Sequence, residues 1–170
     1  MNSSVESKQP SEYQDTLQIL MEIPFFAGLP LEALKLIAYF CRRETFKPGE
    51  FLFREDEVDA SAYYVLSGTG TLLLEQAPAP LQTISEGRFI GGLSLLGDMK
   101  RLFSLRAEQQ LVCIVLTREK FRKTLDQFPN IIHKIMETVA AEVYQWEKGC
   151  LHQYDLSCAG GKMSIGVSLL

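Results

Sequence analysis

Apolar residues recur along this chain with two different rhythms, and the rhythm changes twice. From Glu12 to Ile23, Leu17, Leu20 and Met21 fall at helical spacing, with Ser11 placed to cap the start and Pro24 to stop the helix. A bend at Phe25-Phe26-Ala27-Gly28 follows. In PLEALKLIAYF, Pro30 suits a first helical turn, and Leu31, Leu34, Ile37 and Ala38 form one apolar stripe. The pattern thus predicts two short N-terminal helices.

Between Cys41 and Leu116 the helical period disappears. Short apolar runs (FLF, AYYVLSG, TLLLE, LQTIS, SLRA, LVCIVL) alternate with turn residues such as Lys47-Pro48-Gly49-Glu50 and Glu86-Gly87-Arg88, with the acidic loop EDEVD, and with the APAP connection. About seven short strands at this spacing predict an antiparallel sandwich or barrel. No helix of useful length separates them before Gly91, so a parallel βαβ arrangement is not expected.

Helical spacing then returns. Thr117 is placed to cap TREKFRKTLDQF, Phe128-Pro129-Asn130 is a break, and NIIHKIMETVAAEVYQWEK is the longest helical pattern. Ile132, Ile135, Met136, Val139, Val143 and Trp146 fall on one face, and Gly149 is the expected end of the helix. Three units follow: residues 1–10 as a polar, disordered start, 11–149 as the folded domain, and 150–170 as a tail containing Gly160-Gly161.

Composition narrows the function. The 170 residues suit one domain, and 46% hydrophobic content can fill its core. Seventeen basic residues against 21 acidic ones leave a net charge of −4, which argues against a dominant nucleic-acid surface. Without an apolar run of about 18–20 residues or a signal-peptide core, a soluble, cytoplasmic protein and no membrane contact are expected. Cys41 and Cys113 lie in apolar settings and read as buried, reduced thiols, while Cys150 and Cys158 sit in the tail. The four cysteines form no CxxC pair, and His133 and His152 lie outside the strand region, so neither zinc nor a cupin-type metal centre is indicated. No nucleophile–base pairing is visible, and an enzyme is not expected.

One segment inside the strand region does not read as a strand. In RFIGGLSLLGDMKRL, Gly91 and Gly92 precede a short apolar helical turn, and Arg101 returns nine residues after Gly92. Such a turn leaves backbone N–H groups exposed where the helix dipole favours an anion, and an arginine can add a bidentate phosphate contact. Gly91, Gly92, Leu93, Ser94, Arg101 and Ser104 are therefore the candidate ligand-binding residues.

These residues resemble the cyclic nucleotide-binding domains of catabolite activator protein and of the regulatory subunits of cAMP-dependent protein kinase. The resemblance runs over roughly residues 15–148 and includes IPFFAGLPLEALKLIAYF, FKPGEFLFRED and AYYVLSGTGTLLL, with Gly49 and Gly68 at the family's turn glycines. FIGGLSLL with Arg101 and Ser104 corresponds to the family's phosphate-binding cassette, matching at Gly91, Leu93, Ser94, Leu95 and Arg101. The fold it implies is mainly β with flanking α-helices: an eight-stranded antiparallel jelly-roll β-barrel (double-stranded β-helix), two N-terminal helices and a long C-terminal helix. The implied ligand is cAMP or cGMP, with no further cofactor.

The sequence departs from the family at Gly92, where the family glutamate holds the ribose 2′-hydroxyl. Loss of that acceptor costs on the order of 1–3 kcal/mol, or about tenfold to a hundredfold in affinity. Glu86 and Asp98 are the carboxylates nearest in sequence. Leu102 and Phe103 are bulky where the family has small residues, and so are candidates to fill the sugar or base region. About 20 residues follow Gly149, fewer than a helix-turn-helix module needs, so direct DNA binding is not expected. Two functions follow. The first is a stand-alone regulatory sensor of a cyclic nucleotide. The second is a ligand-free jelly roll acting in dimerisation or protein interaction, with Met136, Val139, Val143 and Trp146 as anchors against another protein or a second copy.

Overall fold

The computed structural model describes residues 10–77 and 79–157. Helices α1 (Pro10–Glu22) and α2 (Leu31–Phe40) flank a single 3-10 turn at Pro24–Phe26. Eight strands follow: β1 (Arg42–Phe46), β2 (Phe51–Phe53), β3 (Ser61–Ser67), β4 (Gly70–Leu73), β5 (Gln82–Ile84), β6 (Phe89–Ile90), β7 (Ser104–Ala107) and β8 (Leu111–Thr117). A short α3 (Gly92–Leu96) interrupts them between β6 and β7, and α4 (Arg118–Gln127) and α5 (Ile131–Ser157) close the described chain.

The strands form two antiparallel four-stranded sheets in the orders β1-β8-β3-β6 and β2-β7-β4-β5. Apart from β4 and β5, which pair with each other in the second sheet, strands that are neighbours in sequence fall in opposite sheets in the jelly-roll manner. The two sheets do not join into the closed barrel that the resemblance implies.

Strand β8 shows why LVCIVL is apolar throughout rather than alternating. Leu111, Cys113 and Val115 point into the core between the sheets, whereas Ile114 and Leu116 point into a second core beneath the helices. A strand covered on both faces needs apolar residues at every position. β3 behaves the same way, with Tyr63 and Val65 on one side and Ala62 and Tyr64 on the other. The helical side is anchored by Phe25 and Phe26, whose rings lie 5.1 Å apart and edge-on, with Phe89 and Phe121 against them.

Turn chemistry fits the sequence at Gly49, where φ is +88° and the Glu50 N–H donates to the Lys47 carbonyl at 3.0 Å. Other expectations shift. α1 begins at Pro10, so Ser11 lies inside the first turn and is not its cap, and Pro10 is not part of a disordered start. Pro30 occupies the N-cap of α2 instead of its first turn. Gly149 does not end the last helix: α5 runs through it to Ser157, across the boundary expected at residue 149. Thr117 does cap α4, accepting from Lys120 N–H at 3.5 Å.

The expected stripe on α5 is also out of phase. Ile131 and Ile135 are the buried positions, Ile132, Val139 and Val143 are half-buried, and Met136 is exposed. Helix dipole and sequence spacing alone do not fix the rotation of a helix about its axis; the docking of its first turn against Pro24–Phe26 does. Cys41 and Cys113 are buried, as their settings suggest. Residues 1–9 and 158–170, including Cys158 and Gly160-Gly161, lie outside the described residues. No described helix is long and apolar enough to cross a membrane.

Candidate functional site

The site is built where β6 ends. Gly91 takes φ +85°, which turns the chain out of the strand and into α3. A side chain here would be strained, and its Cβ would collide with both guanidinium nitrogens of Arg101 and lie 2.9 Å from the Ser61 carbonyl. Glycine is therefore required both by the backbone angle and by the arginine pressed against it. Gly92, Ser94 and Leu95 follow as buried residues of α3, and Leu93 accepts the closing bond from Gly97 N–H. Ser94 N–H donates to the Gly91 carbonyl at 3.0 Å, which closes the turn into α3.

Arg101 lies in the loop before β7 and is only 6% exposed. Its Nη2 donates to Asp59 Oδ2 at 2.7 Å and to the Ser61 carbonyl at 2.5 Å, and its guanidinium stacks 4.1 Å from the centre of the Phe53 ring. Its Nε is buried without a hydrogen-bond partner among the described residues. The backbone is held as firmly: Arg101 N–H donates to Glu57 O at 2.8 Å, Asp56 N–H donates to Arg101 O at 2.9 Å, and Val58 bridges Lys100. The loop between β2 and β3 is thereby stitched along the strand-like approach to β7.

Asp59 is the residue that the sequence did not single out. It accepts from Arg101 and lies 3.1 Å from the Tyr63 hydroxyl, which is itself 3.3 Å from the Leu52 carbonyl. Burial, and next the Asp59 charge, raise the Tyr63 pKa well above the ordinary phenol value. Within EDEVD nothing in the sequence distinguishes Asp59 from its acidic neighbours; its bonds to Arg101 and Tyr63 do.

The other candidate residues separate. Ser104 is buried at the start of β7, and its Oγ accepts from Glu55 N–H at 2.9 Å. Phe103 does not fill a sugar or base region, because it is 3% exposed in the core between the sheets, 5.8 Å from Phe53. Leu102 points the opposite way and is 69% exposed. Neither nearby carboxylate takes the place lost at Gly92: Asp98 pairs with Arg118, and Glu86 is exposed in the turn before β6. Of the α5 residues, Met136 and Trp146 are exposed and Val139 packs on the helical core. They lie apart from the cassette on a different element. An apolar crevice lined by Ile19, Leu20, Tyr64 and Phe89 lies between α1 and the sheet, with none of residues 91–104 in its wall.

The geometry is a fixed, buried guanidinium against a glycine turn that starts a short helix. The sequence profile of the cyclic nucleotide-binding domain matches residues 43–128, a span that includes Asp59, α3 and Arg101. The chain belongs to this family. The regulatory subunit of cAMP-dependent protein kinase from Emericella nidulans is 29% identical over 116 residues, covering 68% of this chain and 28% of its own length. The chain thus spans less than a third of that relative. A cyclic nucleotide-binding-like protein from Brucella abortus is 27% identical, with a TM-score of 0.60 over 66% of this chain and 98% of that one. The N-terminal domain of a transcriptional regulator from Streptomyces coelicolor shares the fold at 21% identity, with a TM-score of 0.68 over 77% and 93% of the two chains. In this chain Gly92 follows the turn glycine Gly91 and precedes Arg101 by nine residues.

Proposed function

We propose that this chain is a non-catalytic, cytoplasmic regulatory module that takes cAMP or cGMP on its cassette. The cyclic phosphate would sit on the backbone of Gly91, Gly92, Leu93 and Ser94, opposed by Arg101. Buried Arg101 against Gly91 is the observation that carries this reading, since its unpartnered Nε leaves the guanidinium with a donor still to satisfy. The kinase regulatory subunit among the relatives supports the same ligand class. Gly92 provides no carboxylate for a sugar hydroxyl, so binding is weaker by about tenfold to a hundredfold than in a cassette that has one. Occupancy would be read at α5 by another protein rather than by DNA.

Titration calorimetry with both nucleotides tests this. Heat that disappears in Arg101→Ala supports it, and no heat at millimolar nucleotide rejects it. Gly92→Glu should tighten binding where the pocket is otherwise intact.

A second reading, a ligand-free interaction domain, is favoured by one observation. Arg101 and Ser104 already bond to Asp59 and Glu55 of the β2–β3 loop and to Ser61 at the start of β3. In that case the exposed Met136 and Trp146 would meet a second copy or another protein. Sedimentation as a monomer at tens of micromolar would count against a dimer.

A further inference from the structure

Two buried arginines lie near α3: Arg101 against Gly91 at its start, and Arg118 bonded to Ser94 within it. Arg101 belongs to the cassette; Arg118 does not. Arg118 is 6% exposed, and its Nε donates to the Ser94 carbonyl at 2.5 Å while its Nη1 pairs with Asp98 just beyond the helix. Its own backbone N–H donates to the Ala60 carbonyl at 2.7 Å, one residue from the Asp59 that holds Arg101. Yet Arg118 is the first residue of α4, directly after the Thr117 cap. One side chain therefore ties the cassette helix to the start of the next helix.

From there the connection is short. Phe121 of α4 packs against Phe25 and Phe26 in the 3-10 turn, and that same turn receives the start of α5. Ile131 N–H donates to Phe128 O at 3.0 Å, which fixes α5 to the end of α4. A buried guanidinium is an expensive staple, since apolar residues of similar volume hold helices together as well or better. The Nη2 of Arg118 is buried without a hydrogen-bond partner among the described residues. A two-position contact is what a transmitted shift requires.

We propose that Arg118 is the positioning residue that passes displacement of the cassette helix to α4 and α5. The transmitted signal rests on the nucleotide reading above, but the contact itself does not. Trp146, the only tryptophan of the chain, reports from α5. With cAMP as the probe, Arg118→Gln should hold its calorimetric affinity within about threefold while the Trp146 emission change falls by about fivefold or more. Asp98→Asn, which removes only the exposed half of the contact, should fall between, and Arg118→Lys should restore part of the response. A full Trp146 response in Arg118→Gln, or loss of response in proportion to affinity, overturns the proposal.

A ligand-free arm separates failure of the nucleotide reading from failure of this one. Gly91→Ala disturbs the cassette directly, and amide hydrogen exchange should then rise in both 92–97 and 118–127. In the Arg118→Gln background the rise should stay within 92–97. Equal spread in both backgrounds overturns the coupling, whether or not cAMP binds.

Discussion

Arg101 and Asp59 form an ion pair at 2.7 Å across 42 residues of sequence, with side chains only 6% and 18% exposed. Removing one member of such a pair leaves the other charge in a poorly solvated place. Asp59→Asn keeps the shape and deletes the charge, and should cost about 1–3 kcal/mol in urea denaturation. Asp56→Asn is the control. Asp56 sits 3.6 Å from Lys100 with both side chains well exposed, and its loss should cost less than about 0.5 kcal/mol. Asn also tolerates the positive φ of 62° at that position.

Helix α5 offers a test of side-chain phase. Ile135 is fully buried in the helical core, while its neighbour Met136 is 60% exposed. Ile135→Ala should destabilise by about 2–5 kcal/mol. Met136→Ala should change the melting midpoint little, by less than about 0.5 kcal/mol in equivalent stability. Equal effects would place the helix in the rotation that the sequence spacing suggests.

That contrast marks what was legible beforehand. The strand region was readable because β8 and β3 are apolar on both faces, and because turn glycines at Gly49, Gly68 and Gly87 punctuate the strands around them. The rotation of α5 was not, because Ile131, Ile132, Ile135, Met136 and Val139 allow two overlapping stripes, and tertiary docking chooses between them. In the site, Gly91 and Arg101 stood out by type and spacing. Asp59 and Arg118 did not: their importance comes from bonds to residues 42 and 24 positions away, and long-range pairing leaves no local periodicity.

Two turn glycines share a backbone angle and differ in surroundings. Gly68 has φ +89°, and a Cβ there would run into the carbonyl of Gln110. Gly49 has φ +88° with open space around it. Gly49→Ala should therefore cost only the left-handed strain, about 1–2 kcal/mol. Gly68→Ala should cost more, because the neighbouring backbone between β7 and β8 must also move. Thermal melts of the two variants measure the difference.

Burial between the sheets pushes the Cys113 thiol up to about 12 from 9.0, with the Glu44 charge as the smaller cause. The folded state thus holds this proton more tightly than the unfolded chain does. Its stabilising effect is complete below pH 9 and is lost as pH rises towards 12, with a slope of up to about 1.4 kcal/mol per pH unit. Tyr63, raised in the same direction, adds to the loss above its ordinary value of 10.0. Urea midpoints across this alkaline range should fall, and Cys113→Ala should flatten the part that begins near pH 9. The native thiol should also react slowly with a disulfide reagent at neutral pH.

The strand order β1-β8-β3-β6 has a consequence for how the molecule forms. β1 and β3 do not touch until β8 enters between them, and β8 is the last strand to be made among the described residues. A chain leaving the ribosome therefore holds unpaired strand edges until residue 117 has emerged, and most of its pairing is distant in sequence. Such topologies fold on millisecond-to-second timescales rather than microseconds. A nascent chain stopped before Leu111 would leave the helical core without Ile114 and Leu116, and the first sheet without the strand that joins its halves.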